Sequence, residues 1–452
     1  MAVGTLLTGG ALVRLFGAQL LPLRLAGWLC TVGAIILPYS CLLDKEQRRK
    51  NLHWLALAIL LMGYGAFQEF SPGTLSVILL SALWVTSTIK HQPSYIAPVL
   101  LGLAVAVRFP NILALLVLIP LWKKRSLWNI PIAAATAGVV YLLGYWFVTP
   151  APLDAAMTSH EWSAMITKLW TKGGLLVGYL LLAVGVLSLG KKGMKGLELK
   201  GLGVGLLLVY FLMMTTKATQ WYNTDLTYFV SALCLVLALV NNQCRIGAAI
   251  LIVATLGTDT AWLKLFPAVL CLLPIAGALL EDSLRKYVWW VLVPVVALVM
   301  VRHSMNSVGK TNLTKVQTIS SIAPYQGIAI TNAEEARLAQ IKTDADSLQS
   351  TILAIGQYNH LMRAVTGCEA AKYNEFWSNI FDSVYTAKYR PIIEEEKPIV
   401  FCAFSPQFKT KKEYKDQQSA FENMLREEGY REIDRSEYKY MIYIPEYDKE
   451  IQ

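Results

Sequence analysis

Residues 95–122 read YIAPVLLGLAVAVRFPNILALLVLIPLW. Two apolar segments, 95–107 and 110–122, flank an Arg-Phe-Pro-Asn interruption that begins at Arg108. A helix needs about 20 apolar residues to cross a bilayer, so each segment is too short for an easy crossing. Proline also lacks the amide N–H that a continuous helix requires. We therefore predict two half-length helices that meet at Arg108, inside or close to a membrane.

The composition excludes a single soluble globular domain. Of 452 residues, 55% are apolar and 16% are charged, with a mean hydropathy of +0.44, whereas soluble chains average about 45–50% apolar and about 25% charged. The charge is also uneven. Residues 1–301 hold 22 basic and 10 acidic groups, and residues 302–452 hold 19 and 21. We predict a membrane domain followed by a small soluble domain.

Apolar runs near the length of a transmembrane helix recur outside the Arg108 region. They lie near 19–42, 52–67, 73–89, 131–148, 172–190, 201–216, 225–241, 245–257, 262–280 and 287–302. We predict an α-helical polytopic membrane domain over residues 1–302, with about ten crossings plus the broken helix pair. A linker is predicted at 303–326, and a small α/β domain at 327–452.

The basic residues predict the orientation of these crossings. Fifteen of the 22 basic residues before position 302 fall in alternate loops: Lys45, Arg48, Arg49, Lys50, Lys90, Lys123, Lys124, Arg125, Lys191, Lys192, Lys195, Lys200, Arg245, Arg285 and Lys286. Basic loops remain on the cytoplasmic side of a membrane. The C-terminal domain is therefore predicted on the outer side.

The C-terminal domain shows strand-like runs that alternate with helical stretches. Strands are predicted at 328–331, 351–356, 398–404, 430–433 and 438–444, with helices at 332–349, 356–366 and 412–429. This alternation is typical of a small parallel α/β domain. No glycine-rich phosphate loop and no G-x-S-x-G elbow follows any strand, so we interpret the domain as a cap or binding module.

Arg108 is the most informative ionisable residue, because charged groups in a membrane are costly and usually functional. A guanidinium can bind the phosphate of a lipid carrier through two parallel hydrogen bonds. Alternatively, Arg108 is an interfacial arginine whose long side chain reaches water.

The other candidate site residues lie in predicted outer loops. Glu69 and Asp259 are candidate catalytic carboxylates, although each adjoins a sequence that also suits a helix start. Lys217, Tyr222 and Asp225 are candidate acceptor or sugar ligands, although the aromatic residues of that loop also suit an interfacial belt. No His or Cys cluster predicts a metal site. Cys368 and Cys402 lie where a disulfide is permitted.

Several stretches together resemble the C-type (GT-C) superfamily of membrane glycosyltransferases. These are LFGAQLLPLRLAGW at 15–28, EFSPGT at 69–74, LGLAVAVRFP at 101–110 and the Gly429-Tyr430 pair in the outer domain. The resemblance is to bacterial members similar to dolichyl-phosphate-mannose mannosyltransferases. It implies inverting transfer of a sugar from a polyprenyl-phosphate carrier to an envelope acceptor (lipid, glycan or protein), at the outer face of the inner membrane. The partners are then the bilayer, the carrier and the acceptor, with no nucleic acid.

The same resemblance implies roles for the candidate residues. Arg108 would bind the carrier phosphate, and Glu69 or Asp259 would act as the base if one of them has taken the role of the family's principal acid. Lys217, Tyr222 and Asp225 would line the acceptor side. No cofactor is firmly implied; a divalent metal is compatible with the family, but no ligand cluster in this sequence supports one.

One departure from the family pattern concerns the beginning of the chain. Family members carry a first span and an acidic outer loop, which would precede Val3, and residues 1–16 contain no Asp or Glu. We therefore expect this chain to lack the first span and the principal catalytic acid. Two alternatives remain open: a transporter or flippase for lipid-linked sugars, and a non-catalytic envelope assembly protein.

Overall fold

A computed structural model describes residues 3–17, 19–63, 70–89, 95–115, 117–118, 128–147, 242–251, 267–268, 270–280, 289, 317–348, 350–356, 359–368, 371, 383–403 and 412–446. The chain divides into two compact units. The first comprises Met1–Gly17 and Pro22–Thr314, and the second Ala18–Leu21 and Lys315–Gln452.

The first unit is helical throughout its described part. Its α-helices are α1 (Val3–Phe16), α2 (Leu20–Leu42), α3 (Lys45–Lys50), α4 (Leu52–Gly63), α5 (Pro72–Thr88), α6 (Ile96–Val107), α7 (Asn129–Phe147), α8 (Asn242–Leu251) and α9 (Leu273–Leu279). The first two residues of α2 belong to the second unit. A 3-10 helix, Phe109–Ala114, follows α6.

The prediction of about ten crossings plus a broken helix pair is wrong. Among the described helices, only α2, with 23 residues, and α7, with 19, are long and apolar enough to cross a membrane. The runs predicted at 52–67 and 73–89 correspond to α4 and α5, of 12 and 17 residues. Likewise, Arg108 is followed by a 3-10 helix and not directly by a second apolar α-helix.

Burial within the protein explains why the short helices are so apolar. Trp54 of α4 and Trp84 of α5 are fully buried in one helical core. Such a core selects the same apolar side chains that lipid does, so hydropathy alone does not separate a buried helix from a crossing. The runs predicted at 172–190, 201–216 and 225–241 lie outside the described residues.

Helices α6 and α7 pack at very short range. A Cβ atom added at Gly102 of α6 would meet the carbonyl oxygen of Ala133 and lie 2.6 Å from Cβ of Thr136, both on α7. Small residues allow helix backbones to approach in this way. Gly102 therefore sets the separation of α6 from α7, and α6 is the helix that carries Arg108 at its end.

The second unit has two sheets. Strands β1 (Thr318–Ile319) and β2 (Ala329–Ile330) form a two-stranded antiparallel sheet. The larger sheet has the order β3-β4-β6-β5. Its strands are β3 (Ile352–Gly356), β4 (Ile399–Ala403), β5 (Tyr430–Arg435) and β6 (Tyr440–Pro445), and the helices of this unit are α10 (Asn332–Leu348), α11 (Asn359–Thr366), α12 (Ser383–Glu396) and α13 (Lys412–Glu427).

The larger sheet is mixed, whereas the sequence predicted a parallel one. Strands β3 and β4 are parallel, but β6 is antiparallel to both β4 and β5. The reason is the tight connection through Ser436–Tyr438 and Lys439, which turns the chain back as a hairpin. The run at 328–331 also pairs outside this sheet, with β1.

Helices cover both faces of the larger sheet. On β3, Leu353 and Ile355 pack with residues of α12 and α13, whereas Ile352 and Ala354 pack with residues of α10 and α11. This alternation follows from the two-residue period of a strand. Every residue of β4 is buried, as expected for a central strand covered on both faces.

Candidate functional site

Arg108 lies where α6 ends and the 3-10 helix begins. Its backbone is extended, with φ −159° and ψ 114°, and its amide donates a hydrogen bond to the carbonyl oxygen of Ala104 at 2.9 Å. Only 7% of the residue is exposed. Pro110 sits at the start of the 3-10 helix, where its missing N–H is tolerated. The Arg-Phe-Pro-Asn sequence therefore places a buried guanidinium at a helix break.

Asn111 connects the helix break at Arg108 to the neighbouring helix α5 through a hydrogen bond. Its Nδ2 donates one hydrogen bond to the Ala104 carbonyl oxygen at 2.8 Å and another to the Ser76 hydroxyl of α5 at 2.9 Å. Its backbone amide donates to the Arg108 carbonyl oxygen at 3.0 Å. The carbonyl of Ala104 can only accept, so the amide group of Asn111 must present its NH2 there. Asn111 thus fixes the backbone on both sides of Arg108.

The carbonyl oxygen of the Asn111 side chain is a buried acceptor. The residue is fully buried, and within the described ranges no donor reaches Oδ1. An amide oxygen without a partner costs about 1–3 kcal/mol. The Thr5 hydroxyl on α1 is also buried and has no hydrogen-bond partner among the described residues. Such acceptors suit a bound water or a ligand group that donates.

The first turn of α1 packs against the end of α6. A Cβ atom added at Gly4 would lie 3.2 Å from the backbone nitrogen of Val107 and 3.3 Å from the carbonyl carbon of Ala106. On its other side, this turn meets α7, where Val3 contacts Gly144. Consequently α1, α6 and α7 come together beside Arg108.

The start of α5 lies at the same end of the unit. Ser71 and Thr74 form a reciprocal capping box at 3.3 and 3.0 Å, and Pro72 is the first helical residue. This confirms the helix start that the Ser-Pro pair predicts. The ring of Phe70 lies 3.5 Å from a Cβ added at Gly9 of α1. Glu69 directly precedes Phe70 in the chain but lies outside the described residues.

The remaining candidate residues lie outside the described part of the chain. These are Asp259, Lys217, Tyr222 and Asp225, in addition to Glu69. Sequence analysis did not identify Asn111 and Ser76 as partners. The only local signal was an asparagine directly after the proline of a helix break. Among the described residues, no group of three or more His, Cys, Asp or Glu side chains could hold a metal ion.

A second buried polar cluster lies in the α/β unit. Asp344 of α10 accepts hydrogen bonds from Arg435 Nε at 3.0 Å, Arg435 Nη2 at 2.8 Å, Tyr440 OH at 2.6 Å and Gln340 Nε2 at 3.1 Å. Burial raises the pKa of Asp344, but the hydrogen bonds outweigh it and hold the pKa below its ordinary value. The cluster joins α10 to the β5–β6 hairpin, and its carboxylate is already fully engaged. We interpret it as structural.

Both cysteines of the α/β unit are free thiols. Cys402 is buried in β4 and Cys368 is half-buried after α11. Burial raises the pKa of the Cys402 thiol well above its ordinary value. The disulfide that the sequence permitted is therefore not formed in this structure.

Comparisons with known proteins leave the family open. Neither a scan of protein-family models nor a search of curated proteins finds a match to this chain. The resemblance to GT-C glycosyltransferases therefore rests on the quoted sequence motifs, and the buried Arg108 site is the structural feature against which it can be tested.

Proposed function

We propose that the chain is a membrane glycosyltransferase that takes a sugar from a polyprenyl-phosphate carrier, and that Arg108 binds the carrier phosphate. The observation that carries this proposal is the buried Arg108 at the break of α6, where Asn111 anchors the backbone by hydrogen bonds. A charged group in an apolar helical unit is expensive and usually marks a functional site.

The outer surface of α7 supports the membrane location. Apolar side chains are exposed along the helix, including Val139 and Leu142. Aromatic side chains are exposed at both of its ends, with Trp128 at 76% before the helix and Trp146 at 80% in its last turn. Trp and Tyr concentrate at the two membrane–water interfaces. An apolar helix of 19 residues with aromatic ends suits a bilayer crossing.

Helix α2 supports the same location. Leu25 and Leu29 are exposed four residues apart, and Ile36 is exposed seven residues later on the same face. In water, such a stripe on a 23-residue helix would be an unfavourable apolar surface. In a bilayer, the same stripe faces lipid tails.

The proposed reaction gives Arg108 a defined task. The acceptor hydroxyl oxygen bonds to the anomeric carbon of the sugar, and the bond from that carbon to the carrier phosphate breaks. A carboxylate, Glu69 or Asp259 in this proposal, takes the hydroxyl proton. Negative charge develops on the departing phosphate, and a guanidinium that binds two of its oxygens stabilises this charge. Lys217, Tyr222 and Asp225 are proposed to line the acceptor side.

A flippase for lipid-linked sugars is the second candidate, because the interrupted helix at Arg108 also suits a transport pathway. The two functions differ in their products. An enzyme makes a glycosylated acceptor and free carrier phosphate, whereas a flippase moves the intact lipid-linked sugar across the bilayer.

The deciding experiment uses the full chain in proteoliposomes with radiolabelled polyprenyl-phosphate sugar and an envelope acceptor fraction. We expect label in the acceptor for the wild type and a loss of at least about tenfold for Arg108→Ala. Arg14→Ala is the matched control, because Arg14 is exposed on α1, and it should retain transfer. Translocation of the lipid-linked sugar without any transfer would reject the enzyme in favour of the flippase.

A further inference from the structure

Helix α3 is a short cationic helix that directly follows the membrane-length helix α2. Its sequence is KEQRRK, so four of its six residues are basic. Asp44 begins the helix with a capping box: the Gln47 amide donates to Asp44 Oδ1 at 2.8 Å, and the Asp44 amide donates to Gln47 Oε1 at 3.1 Å. The start of α3 is therefore well defined.

Hydrogen bonds hold α3 to α2. The Tyr39 hydroxyl donates to the carbonyl oxygen of Arg48. The Arg48 guanidinium donates in return to the carbonyl oxygen of Ser40 at 3.0 Å. A cation at the carbonyl end of a helix is also favoured by the helix dipole. The side chain of Arg48 is thus used within the protein.

The other end of α3 is held by α4. Asn51 is buried and donates through Nδ2 to the Gln47 carbonyl oxygen at 2.8 Å. The amide of Trp54 donates to the Asn51 carbonyl oxygen at 3.1 Å. The ring of Trp54 is fully buried against Gly277 of α9. Hydrogen bonds therefore anchor both ends of α3, which fixes the backbone positions that carry its exposed side chains.

Only two of the four cations remain available on the surface. Lys50 pairs with Glu46 at 2.6 Å, so those two charges cancel. Lys45 and Arg49 are exposed and lie four residues apart, which places them on one face of the helix. Neither forms a hydrogen bond or ion pair with any residue in the described ranges. This face of α3 therefore carries two positive charges that no neighbouring acidic side chain neutralises among the described residues.

The position of this face points to a membrane surface. Helix α2 has 23 residues and is about 34 Å long, close to the thickness of a bilayer core. Lys45 and Arg49 follow its last residue within two turns. Leu52, the first residue of α4 and two positions after the end of α3, exposes 60% of its surface. An exposed apolar residue beside exposed cations is the pattern of a segment at the headgroup level.

We infer that Lys45 and Arg49 bind the phosphate groups of anionic phospholipids in the leaflet at the C-terminal end of α2. This inference rests on the membrane location under the proposed function and is independent of the chemistry at Arg108. Each basic residue near an anionic leaflet gains about 1 kcal/mol, or about fivefold in affinity. Zwitterionic lipids give no such gain, so the helix selects lipids by charge.

The test measures binding of acyl-labelled phosphatidylglycerol and phosphatidylcholine to the detergent-solubilised full chain by fluorescence anisotropy. For the wild type we expect binding of phosphatidylglycerol at least about fivefold tighter than that of phosphatidylcholine, with the preference lost in 0.5 M NaCl. The Lys45→Gln/Arg49→Gln variant should lose about 25-fold in affinity for phosphatidylglycerol, because each residue contributes about fivefold, with little change for phosphatidylcholine.

The matched control is Arg431→Gln/Lys439→Gln, which removes the same charge from exposed positions in the α/β unit. It should keep the wild-type preference, and all variants should keep the wild-type unfolding midpoint. An unchanged preference in Lys45→Gln/Arg49→Gln, or no preference in the wild type, would overturn the inference.

A second arm separates this inference from the proposed function. The full chain is mixed with vesicles of each lipid and floated on a density gradient. Failure to associate with either vesicle would reject the membrane location and the lipid site together. Association with both vesicles, combined with equal affinity for the two lipids, would reject the lipid site alone.

Discussion

The side-chain amide of Asn111 donates a hydrogen bond to the Ser76 hydroxyl across 2.9 Å, joining two residues that are 35 positions apart. This contact and the bond to Ala104 hold both sides of Arg108 in place. The guanidinium is therefore carried on a fixed backbone, as a phosphate-binding group requires.

Replacing Asn111 with alanine should destabilise the first unit by about 2–3 kcal/mol, because two buried hydrogen bonds are lost. Ser76→Ala removes only the hydrogen bond between Asn111 and Ser76, so the free energy of unfolding should fall by about 1 kcal/mol. Thermal unfolding in detergent measures both. Equal midpoints for the wild type and Asn111→Ala would show that Asn111 does not hold the break.

Gly102 should not tolerate a side chain. A methyl group there would meet the Ala133 carbonyl oxygen and force α6 away from α7, so Gly102→Ala should cost about 1–3 kcal/mol or more. Gly138→Ala on α7 is the control, because a Cβ there has nothing within 4 Å. Its effect should be neutral or stabilising by up to about 1 kcal/mol. A destabilised Gly138→Ala together with an unaffected Gly102→Ala would contradict the packing described for these helices.

Acid should loosen the α/β unit through Asp344. The pKa of this carboxyl is below its ordinary value in the folded chain. The ionised group therefore adds stability at and above the ordinary pKa of about 3.9, and this is lost as the pH falls through the lower folded value. Hydrogen exchange of the β3–β4 amides, corrected for intrinsic rates, should show this loss below about pH 4. This loss of protection should be smaller in Asp344→Asn. Identical pH profiles for the wild type and Asp344→Asn would show that the Asp344 carboxylate does not stabilise the α/β unit.

The two thiols of the α/β unit should differ in reactivity. Cys402 is fully buried, and its raised pKa keeps it protonated, whereas Cys368 is partly exposed. Iodoacetamide at neutral pH should label Cys368 in the native chain and reach Cys402 only after unfolding. Peptide mass spectrometry gives the extent of labelling at each site. Comparable native labelling of both thiols would show that β4 is more accessible than described.

Local signals in the sequence located several elements correctly. The Ser71-Pro72 pair predicts the start of α5, and the Arg-Phe-Pro-Asn interruption predicts the end of α6, because capping and the missing proline N–H act within one turn. The strands at 352–356 and 399–403 were also marked by short apolar runs.

Features that depend on distant residues could not be predicted. The bond from Asn111 to Ser76 has no signature near either residue. The insertion of β6 between β4 and β5 depends on where the chain returns after its hairpin. The number of crossings was overestimated because a helix buried in protein and a helix in lipid have the same hydropathy.

The affinity of the full chain for polyprenyl-phosphate sugar tests the central claim most directly. Arg108→Ala should weaken binding by about 10- to 100-fold, since a charge-assisted hydrogen bond contributes about 1.5–3 kcal/mol. Arg108→Lys keeps the charge but loses the paired donors. Its affinity for the polyprenyl-phosphate sugar should therefore lie between those of Arg108→Ala and the wild type. Arg14→Ala should bind as the wild type does. Wild-type affinity in a folded Arg108→Ala protein would contradict the account.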